Sequence, residues 1–328
     1  MNDANKPILD VKALKTQFLT DYGKITAVDD VSLVVNTGET LGVVGESGCG
    51  KTVLALSIMR LVPTPPGKIV SGEILYDGRN LLSLGDEEMR RIRGKEISMI
   101  FQEPMTSLNP VIRAGDQIAE GIKLHKGVSK IEAMNRAVEM LRLVGMPSPE
   151  SIAMSYPHQM SGGMRQRVMI AMALCCDPRL MLADEPTTAL DVTIQAQIID
   201  LIDRLKKQVG SSVILITHDL GVIAEAAQIV AVMYAGQIVE YSSVSELFLN
   251  PFHPYTVGLL ESTPKISGHS LPDGYLKTIP GSVPDMFRLP AGCRFQDRCV
   301  HVMDICREQA PELKKKRPGR LVRCWIYS

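Results

Sequence analysis

The chain has 328 residues, 45% of them hydrophobic but only 5% aromatic, which allows one large domain or two around a mostly aliphatic core. Lys plus Arg and Asp plus Glu number 36 each, so there is no overall field to attract nucleic acid or a membrane surface. No apolar run reaches the roughly 20 residues of a membrane span, and the polar stretch Met1 to Asp10 predicts no secretory signal.

Apolar periodicity predicts strands and helices in alternation. Short β-type runs are expected at 9–35, a strand at 40–44, a helix at 52–61, a strand at 73–76, helices across 116–144, strands at 180–183 and 213–217, and a hairpin at 229–240. The runs at 180–183 and 213–217 are continuously apolar, which is typical of parallel strands covered on both faces. The pattern indicates an α/β scaffold with a helical insertion at about 103–175.

The composition changes after Asn250, where prolines recur and the apolar periodicity fades. We therefore expect two domains, a body at 1–250 and a loop-rich C-terminal module at 251–328. The basic run Lys314 to Arg317 is interpreted as a solvated loop, since no aromatic platform or amphipathic helix accompanies it.

A phosphate-binding motif follows the strand at 40–44 and precedes a helix. It fits G-x-x-x-x-G-K-[ST] without a mismatch and consists of Gly45, Glu46, Ser47, Gly48, Cys49, Gly50, Lys51 and Thr52. The glycines let backbone N–H groups turn toward a phosphate at the helix N-terminus. Lys51 can reach the β- and γ-phosphates, and the Thr52 hydroxyl can ligate Mg²⁺.

Two acidic residues end the apolar strand at 180–183. Asp184 is placed to hold magnesium, and Glu185 is placed to orient or deprotonate the attacking water. Two acids after a strand commonly form only a solvated turn. In a chain with the Lys51 loop, they indicate ATP hydrolysis.

Residues 160–167 resemble the signature segment of ABC ATPases. Ser161, Gly162 and Gly163 would form the start of a helix that offers a hydroxyl and N–H groups to an anion. The resemblance implies that two chains pair head to tail, so that each signature closes over the ATP of the other chain. Met164 stands where the family more often has Gln. This departure is typical of the peptide-transporter branch. The simpler alternative for Ser161 is a helix N-cap without a ligand.

Other family motifs follow in the family order. Gln102 resembles the Q-loop glutamine, Asp191 lies in a D-loop-like segment at 188–191, and His218 resembles the switch histidine. The resemblance gives Gln102 a contact with magnesium or water and His218 a contact with the γ-phosphate. Phe18 aligns best with the aromatic residue that stacks on adenine, Tyr22 is second, and an ordinary strand aromatic is the alternative.

The segments at 101–110, 183–197 and 250–256 resemble the ATP-binding subunits of oligopeptide and dipeptide permeases. The resemblance implies an ABC ATPase fold: a P-loop core with an antiparallel β subdomain and a helical subdomain, plus a C-terminal module. It also implies ATP-driven peptide import with a paralogous ATPase, two transmembrane permease subunits and, indirectly, an extracellular peptide-binding protein. The chain would lie at the cytoplasmic face of the cell membrane. The alternatives are nickel or glutathione import, or a soluble ABC ATPase that acts on DNA or ribosomes.

Four cysteines crowd the tail with the spacing Cys-x5-Cys-x6-Cys-x17-Cys, at Cys293, Cys299, Cys306 and Cys324. Four thiolates can complete a zinc site or hold an iron–sulfur cluster, and the absence of C-x-x-C pairs disfavours an ordinary zinc ribbon. The peptide-permease resemblance implies a [4Fe–4S] cluster with a structural role. Four reduced thiols are the alternative in a cytosolic setting.

Overall fold

The computed structural model describes residues 6–188, 190–263 and 277–327, without the side chains of Pro104 and Met105. Its strands are β1 (Pro7–Thr20), β2 (Gly23–Asn36), β3 (Thr40–Val44), β4 (Gly67–Tyr76), β5 (Arg79–Asn80), β6 (Ile97–Ile100), β7 (Leu180–Asp184), β8 (Ser212–Thr217), β9 (Ile229–Tyr234), β10 (Gln237–Ser243), β11 (Lys314–Arg317) and β12 (Arg320–Val322).

The helices of the described ranges lie between these strands, singly or several in succession. They are α1 (Lys51–Ile58), α2 (Asp86–Ile92), α3 (Pro104–Ser107), α4 (Ala114–Lys126), α5 (Lys130–Leu143), α6 (Pro149–Ala153), α7 (Gly162–Leu174), α8 (Val192–Val209), α9 (Leu220–Ala226), α10 (Val244–Leu249), α11 (Pro254–Glu261) and α12 (Asp304–Glu308). Within the described ranges, none of them is long and apolar enough to cross a membrane.

The chain forms two compact units that each draw on separate stretches of sequence. Unit 1 comprises Met1–Leu9, Val35–Thr40 and Leu75–Ile216, and unit 2 comprises Asp10–Val34, Leu41–Ile74 and Thr217–Ser328.

Unit 1 contains a parallel run of strands and the helices α2 to α8. β7 pairs in parallel with β6, where Ile100 lies opposite Ala183, and with β8, where Asp184 lies opposite Ile216. The strand β7 is buried along its whole length, as its continuous apolar sequence predicts. Parallel strands end at the same edge of a sheet, so the residues that follow β6 and β7 are brought close together.

Unit 2 contains two groups of neighbouring strands. One has the order β2-β1-β4, and the other has the order β11-β12-β10-β9-β3, in which β3 and β9 are parallel and β9 and β10 form an antiparallel hairpin. The core beside β3 and β9 includes residues of the tail: Tyr234 of β9 packs against Tyr255 at 4.6 Å and against Phe295 at 5.2 Å between ring centroids. The tail therefore shares the core of this unit.

Several secondary-structure predictions need correction. The short runs expected at 9–35 are two long strands, β1 and β2, and the strand expected at 73–76 begins at Gly67. Ala13 in β1 and Asp30 in β2 have φ values of 46° and 55°, so local irregularities interrupt the alternation that marks a strand. The basic run expected as a loop is the exposed strand β11, which pairs with β12.

Candidate nucleotide site and cysteine cluster

The phosphate loop connects β3 to α1 and is closely packed against the rest of unit 2. A Cβ on Gly45 would lie 2.1 Å from the carbonyl oxygen of Met233, and a Cβ on Gly50 would lie 2.1 Å from that of Ala27. Gly50 also has φ +104°, a backbone conformation that L side chains rarely adopt. Glycine is therefore required at both positions for the loop to pass this close to neighbouring backbone.

Lys51 opens α1 and is 5% exposed. Its Nζ donates hydrogen bonds to the carbonyl oxygens of Gly45 at 2.7 Å and Glu46 at 3.1 Å, so the loop backbone orients the ammonium group. Thr52 is exposed, as are Ser47 and Gly48. Cys49 is fully buried; burial raises the pKa of its thiol, and its carbonyl oxygen accepts the N–H of Gly236 at 2.8 Å.

Glu46 is held by two residues of the tail. Its carboxylate accepts hydrogen bonds from Arg298 Nη1 at 2.7 Å and Nη2 at 2.9 Å, while its backbone N–H donates to Tyr255 Oη at 2.9 Å. The hydrogen bonds that Arg298 donates to Glu46 raise the pKa of Arg298 above its usual value. Sequence reasoning missed this contact: Tyr255 lies in a segment noted only as typical of the peptide-permease branch, and no local signal marks Arg298.

The acidic pair lies at the end of β7. Asp184 is 1% exposed, and Glu185 has φ +44°, a left-handed conformation that costs a non-glycine residue roughly 1–2 kcal/mol. Oε2 of Glu185 accepts hydrogen bonds from Gln102 Nε2 at 3.1 Å and Thr188 Oγ1 at 2.8 Å. The structure thus brings Gln102 and Glu185 together, and it adds Thr188, which the sequence did not single out.

The signature segment opens α7, and Ser161 is its N-cap: Ser161 Oγ accepts the N–H of Met164 at 3.3 Å. Asp191 caps α8 in the same way, through the N–H of Ile194 at 3.0 Å. The two helix starts lie close together, since a Cβ on Gly163 would lie 3.3 Å from Ile194. Ser161, Gly162 and Asp191 are exposed, and Ala189 lies outside the described residues.

The remaining predicted nucleotide contacts belong to unit 2. His218 follows β8, is exposed, and precedes Asp219, which caps α9. Phe18 is half-buried on β1, where its ring packs beside Gly67, whereas Tyr22 is 90% exposed between β1 and β2.

The four tail cysteines line one small cavity, together with His253, Phe295 and Trp325 among others. Cys306 and Cys324 are 7% exposed, and the other two are half-buried. Burial raises the pKa of Cys293 and of Cys324 to about 11. In the described part of the chain, no set of three or more His, Cys, Asp or Glu side chains is arranged to hold a metal ion.

Comparisons with known proteins identify the family and the fold. The family described as "ABC transporter" matches residues 28–188, and "Oligopeptide/dipeptide transporter, C-terminal region" matches residues 239–306. A solved structure titled as the dimeric, post-hydrolysis state of the ATP-binding cassette MJ0796 bound to ADP and Pi is similar with a TM-score of 0.65 and 28% identity, covering 72% of this chain and 98% of that one. These matches confirm the expected ABC ATPase fold.

Relatives match along almost the whole chain. The probable peptide ABC transporter ATP-binding protein y4tR of Sinorhizobium fredii is 53% identical over 97% of this chain and 94% of its own length. The oligopeptide transport ATP-binding protein AppD of Bacillus subtilis is 52% identical over 98% of this chain and 97% of its own length. The oligopeptide transport ATP-binding protein OppD of Salmonella typhimurium is 49% identical over 97% of this chain and 93% of its own length. The chain therefore belongs to the ABC transporter family, as an ATP-hydrolysing subunit of the branch that carries the oligopeptide/dipeptide transporter C-terminal region.

Proposed function

We propose that this subunit uses ATP hydrolysis to drive the import of oligopeptides or dipeptides. The observation that supports the motor role most directly is the Glu185 carboxylate, which Gln102 and Thr188 orient at the end of β7. The peptide cargo is supported by the names of relatives that match nearly the full chain.

Each predicted residue of the nucleotide site has a role in binding ATP or in hydrolysing it. The loop at 45–52 surrounds the phosphates with N–H groups and Lys51, and Phe18 stacks on the adenine ring. Thr52, Gln102 and Asp184 offer oxygen donors, the type that Mg²⁺ prefers, and the ion would neutralise phosphate charge. Glu185 orients or deprotonates the attacking water, and His218 contacts the γ-phosphate.

The proposed working unit is a head-to-tail heterodimer with a paralogous ATPase. Ser161, Gly162 and Asp191 are exposed, and together with the half-buried Gly163 they would form the surface that closes over the nucleotide of the partner. Closure would act through the Gln102 segment and the helices α3 to α7 on two permease subunits at the cytoplasmic face of the membrane. An extracellular binding protein would deliver the peptide. In this scheme residues 1–250 form the ATPase domain and residues 251–328 the C-terminal module.

The four-cysteine cavity is proposed to hold a [4Fe–4S] cluster. The donor set fits, because four cysteine thiols are what such a cluster uses and all four line the same cavity. A single zinc ion would draw every thiolate to about 2.3 Å from one point, whereas each thiolate of a cluster binds a different iron. The cluster would pin a proline-rich tail. Protein purified without oxygen should contain about four irons per chain; about one zinc, or neither metal, would contradict the cluster.

The transport proposal is tested in proteoliposomes that contain the two ATPases, the permease subunits and the binding protein. Oligopeptides or dipeptides should stimulate phosphate release and accumulate inside, whereas nickel and glutathione should do neither. A complex with Glu185→Gln in this chain serves as the matched control. Uptake of nickel or glutathione without uptake of peptide would overturn the proposed cargo but not the motor.

A further inference from the structure

Arg298 is a buried cation that joins the tail to the phosphate loop. It ends the turn Gln296–Arg298, and its side chain is 5% exposed. The two Nη atoms donate separately to the two carboxylate oxygens of Glu46, while Nε donates to the carbonyl oxygen of Pro280 at 2.9 Å. A bidentate contact of this kind fixes the orientation of the Glu46 carboxylate as well as its distance from Arg298.

Tyr255 holds the backbone of the same loop residue. Its ring is fully buried, and its Oη accepts the N–H of Glu46 at 2.9 Å. The carbonyl oxygen of Glu46 accepts a hydrogen bond from Lys51 Nζ at 3.1 Å. A shift of Glu46 would therefore move both the loop backbone and an acceptor that orients Lys51.

We propose that Arg298 is a positioning residue for nucleotide binding, and that through it the four-cysteine element sets the affinity of the phosphate loop for ATP. This inference rests on the proposed role of the loop at 45–52. The loop binds through N–H groups whose directions depend on its backbone, so a small displacement has a large effect. Arg298 directly precedes Cys299, which lines the cysteine cavity, so a single peptide bond links that cavity to the residue that holds Glu46.

Arg323 is a matched control, because it also precedes a cysteine that lines the cavity. Arg323 directly precedes Cys324, is 6% exposed, and pairs with Asp30 at 2.9 Å. Its other bonds go to the carbonyl oxygens of Ile238, Pro311 and Asp30. Arg298 and Arg323 thus share burial, charge and a neighbouring cysteine, but only Arg298 contacts the phosphate loop in the contacts described.

The test is the dissociation constant of a fluorescent ATP analogue, measured by titration of the full chain. Arg298→Gln and Glu46→Gln should each weaken binding about tenfold, and the double variant should be no weaker than either single variant, because the pair acts as a unit. Arg298→Lys should bind more tightly than Arg298→Gln but less tightly than wild type, since lysine keeps the charge but cannot make the paired hydrogen bonds of the guanidinium. Arg323→Gln should lower the melting temperature while leaving the affinity within twofold of wild type.

Three results would decide against the inference. Wild-type affinity in Arg298→Gln would overturn it, as would additive losses in the double variant or an equal loss of affinity in Arg323→Gln. If Arg298→Gln does not fold, Arg298→Lys and Glu46→Gln carry the same test from the two ends of the pair. Lys51→Ala separates the two proposals: wild-type affinity in that variant would remove the proposed role of the loop, whatever Arg298 does.

Discussion

Thr188 and Glu185 form a hydrogen-bonded pair three residues apart: Thr188 Oγ1 donates to Glu185 Oε2 at 2.8 Å. Gln102 donates to the same oxygen from the end of β6, at 3.1 Å. Rotation of the carboxylate would break both bonds, so these two residues fix the orientation of the proposed base. The left-handed backbone of Glu185 adds a further constraint.

Thr188→Val should lower kcat about tenfold without changing the affinity for ATP, because it removes a bond that orients Glu185 and is not proposed to contact nucleotide. Steady-state phosphate release and a nucleotide titration separate the two quantities. Thr188→Ser keeps the hydroxyl and should restore most of the rate. Normal turnover in Thr188→Val would show that the Thr188 bond is not needed to orient Glu185.

Glu185→Gln should retain ATP binding and lose hydrolysis by about a hundredfold or more, since the amide cannot accept a proton from water. Single-turnover phosphate release is the measurement. Glu132→Gln is the control, because Glu132 is a surface acid paired with Arg136 at 2.7 Å. Turnover at the wild-type rate in Glu185→Gln would remove this residue from its proposed role.

Gly45→Ala should abolish nucleotide binding, because its Cβ would lie 2.1 Å from the carbonyl oxygen of Met233 and neither backbone can move freely. Gly210→Ala is the control: its Cβ would have nothing within 4 Å, although φ is +76°. That variant should lose about 1 kcal/mol of stability and keep its affinity. Nucleotide titration with a thermal melt compares them, and equal affinities would contradict the packing argument.

Arg320→Ala should lower the free energy of unfolding by about 3–5 kcal/mol, because it leaves Glu240 buried without its cation. Arg320 donates to Glu240 at 3.2 Å and Glu246 at 3.0 Å, and its guanidinium lies 3.6 Å from the centre of the Phe252 ring. Urea unfolding measures the loss. The exposed Arg136→Ala should cost less than about 1 kcal/mol, and a similar small loss for Arg320→Ala would contradict the prediction.

Alkaline unfolding should report the ionisation of Tyr76. Burial, reinforced by Glu96, raises the pKa of Tyr76 to about 12 in the folded protein, whereas the unfolded value is about 10. Its contribution to stability is therefore complete below pH 10 and is lost as the pH rises toward 12, by about 1.4 kcal/mol per pH unit.

Tyr76→Phe should remove this part of the pH dependence. The control is Tyr22→Phe, since Tyr22 is 90% exposed. Urea unfolding at several pH values between 9 and 12 gives the two slopes. An unchanged slope in Tyr76→Phe would mean that other groups account for the alkaline loss.

The sequence predicts the parts of the fold and site that depend on local pattern. The strands β3, β7 and β8 are continuously apolar, and the loop at 45–52 is a contiguous motif, so both are visible in the sequence. The full length of β1 and β2 is not visible in the sequence, because positive φ values at Ala13 and Asp30 interrupt the alternation of buried and exposed side chains. The strand β11 was missed because its four residues are all cationic.

Contacts between distant parts of the chain have no local pattern at all. Arg298 and Glu46 are 252 residues apart, and nothing near either residue indicates the other. Thr188 was visible within a family segment, but neither its bond to Glu185 nor the left-handed backbone of Glu185 was. Sequence reasoning therefore identified the candidate nucleotide ligands better than the residues that hold them in place.

The interleaved order of unit 2 has a consequence for synthesis on the ribosome. The loop at 45–52 is made early, but β9, its neighbour beside β3, follows only at Ile229–Tyr234, and Arg298 later still. During synthesis the apolar residues of β3 therefore stay without β9, and prone to aggregate, until most of the protein has emerged. Truncation between β9 and Phe295 would keep β9 but leave Glu46 without its cation and the core beside β9 without Phe295, and chaperones and proteases would recognise the exposed apolar surface.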